Sequence, residues 1–223
     1  MLTLLFDIDG TLINTGGAGG TALIEAFRED FGIDNPAQVP FSGRTDRGIG
    51  TNLFEQHGIE DSPENWQRLR DGYITRLPVH LPQRDGRVLD GVLSLLEQLQ
   101  SREAVGVGLL TGNLQEGARI KLSYFGLFEH FRFGGFGDDH RNRDGVAEAA
   151  LVAAKNHANG NFDPGRTWVI GDTPLDITCA RAINVKVLAV ATGLHPMNQL
   201  ADYRPDLLLE DLSDTDLVLD ALS

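Results

Sequence analysis

The sequence predicts an α/β protein in which a parallel sheet lies between two layers of helices and a helical segment is inserted near the start. Three observations carry this expectation. Short apolar runs alternate with helical patterns through the second half of the chain, and two of those runs end in aspartates. Residues 15–87, by contrast, hold helical periodicity but no strand-like run of comparable strength.

Taken in order, the first strand covers 2–6 and passes directly into Asp7-Ile8-Asp9-Gly10. Gly16-Gly17-Ala18-Gly19-Gly20 lacks the Lys-Ser/Thr that would complete a phosphate loop, so it reads as a hinge. A helix over 18–31 stacks Leu23, Phe27 and Phe31 at i, i+4 and i+8; a second over 46–57 carries Ile49, Leu53 and Phe54. A third follows Ser62-Pro63, an N-cap and first-turn proline, and carries Trp66, Leu69, Tyr73 and Leu77. Beyond it, helices are expected over 90–101, 114–125, 145–158 and 174–182, with strands at 105–110, 131–134, 167–171, 185–190 and 206–209. The expected organisation is a Rossmann-like three-layer core (1–14 and 88–223) with a helical cap (15–87).

The chain has 223 residues, enough for a sizeable core without staples. Its single cysteine, Cys179, excludes an internal disulfide and reads as a buried small side chain. Met1-Leu2-Thr3 leads into a strand pattern with no basic region before it, so a cytoplasmic location is expected. No apolar run approaches a bilayer's thickness. Nineteen basic against 32 acidic residues, a formal charge of −13, argue against nonspecific nucleic-acid binding and against an anionic membrane surface. An anionic substrate stays open, because a bound divalent cation reverses the field locally.

Chemistry-bearing residues gather at strand ends. Asp7 and Asp9 are two apart, so both point one way while Ile8 packs inward. Trp168-Val169-Ile170-Gly171 closes on Asp172, with Asp176 one helical turn further on. Carboxylates with open water positions suit Mg²⁺; N-capping by either Asp172 or Asp176 is compatible with that. Leu110-Thr111-Gly112-Asn113 ends a third strand in a turn that offers a hydroxyl and backbone N–H groups to phosphate oxygens. A plain N-cap turn has the same local pattern.

Asp7-Ile8-Asp9-Gly10-Thr11-Leu12, Leu110-Thr111-Gly112-Asn113 and Gly171-Asp172-Thr173-Pro174-Leu175-Asp176 resemble, in order and setting, the first, second and fourth motifs of the haloacid-dehalogenase-like hydrolase superfamily. The resemblance spans the whole chain and is nearest the phosphoglycolate-phosphatase-like branch. It implies a Mg²⁺-dependent phosphatase acting on a small phosphorylated metabolite. In it Asp7 attacks phosphorus and forms an aspartyl-phosphate, Asp9 serves as acid and then base, and Thr111 binds a phosphoryl oxygen beside Gly112 and Asn113. The ion is then held by Asp7, the Asp9 backbone carbonyl and Asp172, with Asp176 as ligand or support.

The third motif departs from the family, which usually supplies a lysine there. Residues 136–144 contain none; Lys155 lies inside the following helix pattern and Lys121 belongs to an earlier one. Arg143 is the expected substitute, with Arg141 second. Arg44 and Arg47, in Phe41-Ser42-Gly43-Arg44-Thr45-Asp46-Arg47, are the expected readers of the rest of the substrate, or else solvated helix-start residues. Competing readings are a phosphosugar mutase on the same aspartates, a 2-haloacid dehalogenase, which Asp9 and Asp172 disfavour, and a noncatalytic binding protein.

Overall fold

The structure is a computed structural model that describes residues 1–222. Its centre is a six-stranded parallel sheet built from β1 (Leu2–Phe6), β4 (Val105–Leu110), β5 (Gly134–Gly135), β6 (Thr167–Gly171), β7 (Lys186–Val190) and β8 (Leu207–Leu209). The strand order is β5-β4-β1-β6-β7-β8. Strand β1 is therefore flanked by β4 and β6, with Phe6 level with both Leu109 and Ile170. The three carboxyl ends lie side by side, which is where open parallel sheets collect ligands.

Both faces of the sheet are covered, which explains why its strands read as unbroken apolar runs. Alternation sends Leu4 and Phe6 to one side, against Leu96 of α4 (Val92–Gln100) and Leu219 of α9 (Thr215–Leu222). Leu5 faces the other side, with Val146 and Ala150 of α6 (Arg143–Ala158) and Ile177 of α7 (Pro174–Ala182). The expected α/β architecture is thus observed. No helix among the described residues is long and apolar enough to cross a membrane.

A third apolar cluster belongs to α1 (Ala18–Phe31), α2 (Asp46–His57) and α3 (Pro63–His80), with Phe27, Phe54 and Leu69 fully buried in it. Thr45 and Ser62 cap α2 and α3 through their hydroxyls. Leu114, at the start of α5 (Gln115–Tyr124), joins this cluster and ties it to the sheet layer.

Two details depart from expectation. A short antiparallel pair, β2 (Ile13–Asn14) with β3 (Arg87–Val88), stands where the chain enters and leaves the helical segment. Two residues are too few to carry a period, so the pair was invisible in the sequence. The strand expected over 131–134 becomes regular only at Gly134, although Arg132 N–H still bonds Val107 O at 3.1 Å and Leu109 N–H bonds Phe133 O at 3.0 Å. A short α8 (Met197–Ala201) lies between β7 and β8.

Candidate active site

Asp7 leaves β1 almost buried, its N–H donating to Ile170 O at 2.9 Å. Asp172 leaves β6 the same way and accepts from the Thr11 hydroxyl at 3.1 Å. Two glycines pack against the Asp172 carboxylate: a Cβ on Gly10 would lie 2.4 Å from its Oδ2, and one on Gly193 only 1.8 Å. With Gly10 also at φ +88°, no other residue fits there. Carboxylate oxygens of Asp7, Asp172 and Asp176 all come within 4.8 Å of one another, and all three residues are buried.

Such crowding has a cost. Burial lifts the Asp7 carboxyl to about 6, Arg143 works against that lift, and Asp176 and Asp9 add to it. Asp172 is pushed well above the carboxylate range, by burial first and then by Asp176 and Asp7. Buried carboxylates that repel one another accept a positive charge readily, and an all-oxygen donor set fits a hard divalent ion such as Mg²⁺. Asp176 is already heavily engaged. Its Oδ2 accepts from Thr173 N–H at 3.0 Å and the Thr173 hydroxyl at 2.7 Å, closing a capping box on α7, while its Oδ1 accepts from Arg143.

Arg143 opens α6 and is buried, with Nη2 at 2.9 Å from Asp7 Oδ1 and in short contact with Asp176 Oδ1. The same nitrogen donates to Leu110 O at 3.3 Å. Arg141 goes elsewhere: it is 59 % exposed and pairs with Asp61 at 2.8 Å. Of the two arginines, only Arg143 reaches Asp7.

The Asp9 carboxylate lies outside the acidic trio. It accepts from Asn113 Nδ2 at 2.9 Å and from Lys121 Nζ at 2.6 Å. Lys121, which the sequence reading passed over as belonging to an earlier helix, is buried and also donates to Asn113 Oδ1 at 2.6 Å. A signal was present: Lys121 shares the inward face of α5 with Gly117 and Ala118, four and three residues earlier. Gly19 makes room for it, since a Cβ there would stand 3.0 Å from Nζ.

The other expected residues divide. Gly112, Asn113 and Arg44 line a cavity of about 480 Å³ together with Asp7, Asp9 and Asp172. Thr111 is fully buried and not part of that lining, because its hydroxyl accepts from Asn113 Nδ2 at 2.8 Å and Asn113 N–H at 3.3 Å. Arg47 is engaged elsewhere: in the first turn of α2 it bonds Thr51 Oγ1 at 2.6 Å and Asp61 at 2.7 Å and stacks on Trp66 at 4.9 Å, and it does not line the cavity. Asp46, between the two arginines, does line it. Its N–H donates to Gly112 O at 2.7 Å and its Oδ2 accepts from Leu114 N–H at 2.9 Å. Burial raises its carboxyl to about 6, against the pull of Lys121.

Similarity to known proteins agrees with this geometry. The chain is 26 % identical to the pyrophosphatase PpaX of Oceanobacillus iheyensis, over 95 % of its own length and 94 % of that protein's. It is 28 % identical to the phosphoglycolate phosphatase of Synechococcus elongatus, over 96 % and 95 %. The fold superposes on the crystal structure of a hydrolase from Pseudomonas syringae with a TM-score of 0.73 at 21 % identity, covering 99 % and 98 % of the two chains. The family model for haloacid dehalogenase-like hydrolases matches residues 4–190, which takes in both strand ends that supply the acidic trio and the third, at Thr111. The chain belongs to the haloacid dehalogenase-like hydrolases.

Proposed function

We propose that this protein is a Mg²⁺-dependent phosphatase that hydrolyses a small organic phosphate monoester through an aspartyl-phosphate. The observation that carries the reading is the convergence of Asp7, Asp172 and Asp176 within 4.8 Å, with a second acid, Asp9, lining the same cavity. Asp7 Oδ attacks phosphorus as the ester P–O bond breaks, and the leaving oxygen takes its electron pair and a proton from Asp9. Asp9, now a carboxylate, draws a proton from water, whose oxygen attacks phosphorus; the P–Oδ bond breaks, releasing inorganic phosphate and restoring Asp7. Arg143 holds Asp7 aimed and offsets its charge. Gly112 and Asn113 flank the phosphoryl group, and Lys121 has one N–H beyond the two it commits to Asp9 and Asn113.

Asp7 and Asp172, with the Asp9 carbonyl, are the residues that would hold Mg²⁺, and Asp176 supports them from behind. When bound, the ion neutralises phosphate and nucleophile so that they approach. Residues 15–87 act as a cap over a core of 1–14 and 88–223, and Arg44 meets the outer part of the substrate. The names of the pyrophosphatase and phosphoglycolate phosphatase relatives support phosphoryl hydrolysis as the chemistry. The test is a screen of phosphate monoesters with and without Mg²⁺, with Asp7→Asn as control. Turnover that needs the ion and vanishes in the variant is expected; equal turnover by the variant would remove Asp7 as nucleophile.

A further inference from the structure

The leaving-group side of the cavity has its own chemistry. Its volume, about 480 Å³, lies within the roughly 300–1,000 Å³ typical of sites for drug-sized ligands and exceeds what a two-carbon acid requires. Away from the strand ends its apolar lining is Ile13, Leu23, Phe41, Ile49, Tyr73 and Leu194, with Asn14, Thr15 and Ser42 among the polar residues. Leu194 is 82 % exposed and follows Gly193, which packs directly against Asp172. Phe41, 37 % exposed, is the other exposed apolar residue of this lining.

Charge narrows the choice further. Four aspartates (7, 9, 46 and 172) and three cations (Arg44, Lys121 and Arg143) line the cavity, a net of one negative charge. Arg143 is committed to Asp7 and Asp176, and Lys121 to Asp9. Only Arg44, exposed to solvent, is without an ion-pair partner among the described residues, and Asp46 lies two positions from it. A divalent cation and a phosphoryl dianion cancel, and Asp9 holds the proton it gives to the leaving oxygen, so the loaded cavity is neutral. A second anionic group on the substrate would make it negative, and an exposed guanidinium offsets little of that.

We infer that the substrate's leaving group is uncharged and carries an apolar face, such as a ring, that packs between Phe41 and Leu194. This inference rests on the phosphatase reading above and sharpens it. Three alkyl esters of similar leaving ability test it: benzyl phosphate, ethyl phosphate and phosphoglycolate, with pyrophosphate alongside. Burial of the ring predicts kcat/KM for benzyl phosphate about tenfold or more above ethyl phosphate, and ethyl phosphate above phosphoglycolate. Leu194→Asp, at a solvent-facing position, should raise KM for benzyl phosphate several-fold more than it raises KM for ethyl phosphate. Calorimetric titration with two nonhydrolysable probes supplies a readout independent of turnover: benzylphosphonate should bind more tightly than phosphonoacetate. Preference for phosphoglycolate or pyrophosphate, equal effects of Leu194→Asp on both alkyl esters, or tighter binding of phosphonoacetate would each overturn the inference. Absence of all turnover would sink the phosphatase reading instead, and the two phosphonates would still decide the leaving-group preference.

Discussion

Asp7 and Asp9 stand two residues apart at one strand end, but their surroundings differ in almost every respect. Asp7 is nearly buried and shares the planar fork of Arg143 with Asp176. Asp9 keeps 40 % of its side chain exposed and shares the compact ammonium of Lys121 with the neutral amide of Asn113. A nucleophile benefits from being fixed and charged; a proton carrier must reach both leaving group and water. Identical side chains thus acquire different capacities from burial and from the kind of cation each is given. Each acid also has its own counter-charge before any substrate arrives.

The sharpest way to break this comparison is Asp7→Asn. Removal of a nucleophile should cost about 10³-fold or more in kcat while the melting curve stays cooperative. Next is the cation behind Asp7. Arg143→Ala strands two buried carboxylates, so urea titration should register a loss of about 3–5 kcal/mol, against at most about 1 kcal/mol for the exposed Arg141→Ala. Equal losses would mean that the buried fork carries no special load. On the Asp9 side, Lys121→Met should lower kcat by about 10²-fold with the fold retained, since it loosens the proton carrier and leaves the nucleophile in place.

The smallest effect concerns Asp46, which feels both Lys121 and Asp9 from the same cavity wall. Its folded carboxyl, raised to about 6 from 3.8, binds its proton more tightly than in the unfolded chain. Its contribution to stability is therefore complete below about pH 3.8 and disappears as pH rises through about 6. Asp46→Asn should abolish that part of the slope, so that wild type loses on the order of 1–3 kcal/mol more than the variant between pH 4 and 7. Parallel pH profiles for the two proteins would show that Asp46 titrates normally.

Much of this arrangement was legible because buried parallel strands are unbroken apolar runs and polar residues stand out where they stop. The strands over 105–110 and 167–171 and the helix over 174–182 occur at the expected residues. Arg143 was found by proximity to a helix start, a local property. Lys121 was missed because its relevance comes from α1: only when Gly19 passes over α5 does a lysine on an inward helix face meet Asp9. Arg44 precedes the N-cap of α2 while Arg47 lies in its first turn, and their sequence spacing could not say which one faces the cavity. Nor could the sequence show that the Thr111 hydroxyl is buried and accepts from Asn113, two residues on.

Helix α5 begins without a cap of its own. Its first amides are instead received by Asp46, from the start of α2, and by Asp138, which accepts Gln115 N–H at 2.8 Å. Borrowed caps of this kind are worth about 1 kcal/mol each, and they last only while the two lenders stay seated. If α2 lifted away, the turn bearing Gly112 and Asn113 would lose these anchors at the same instant.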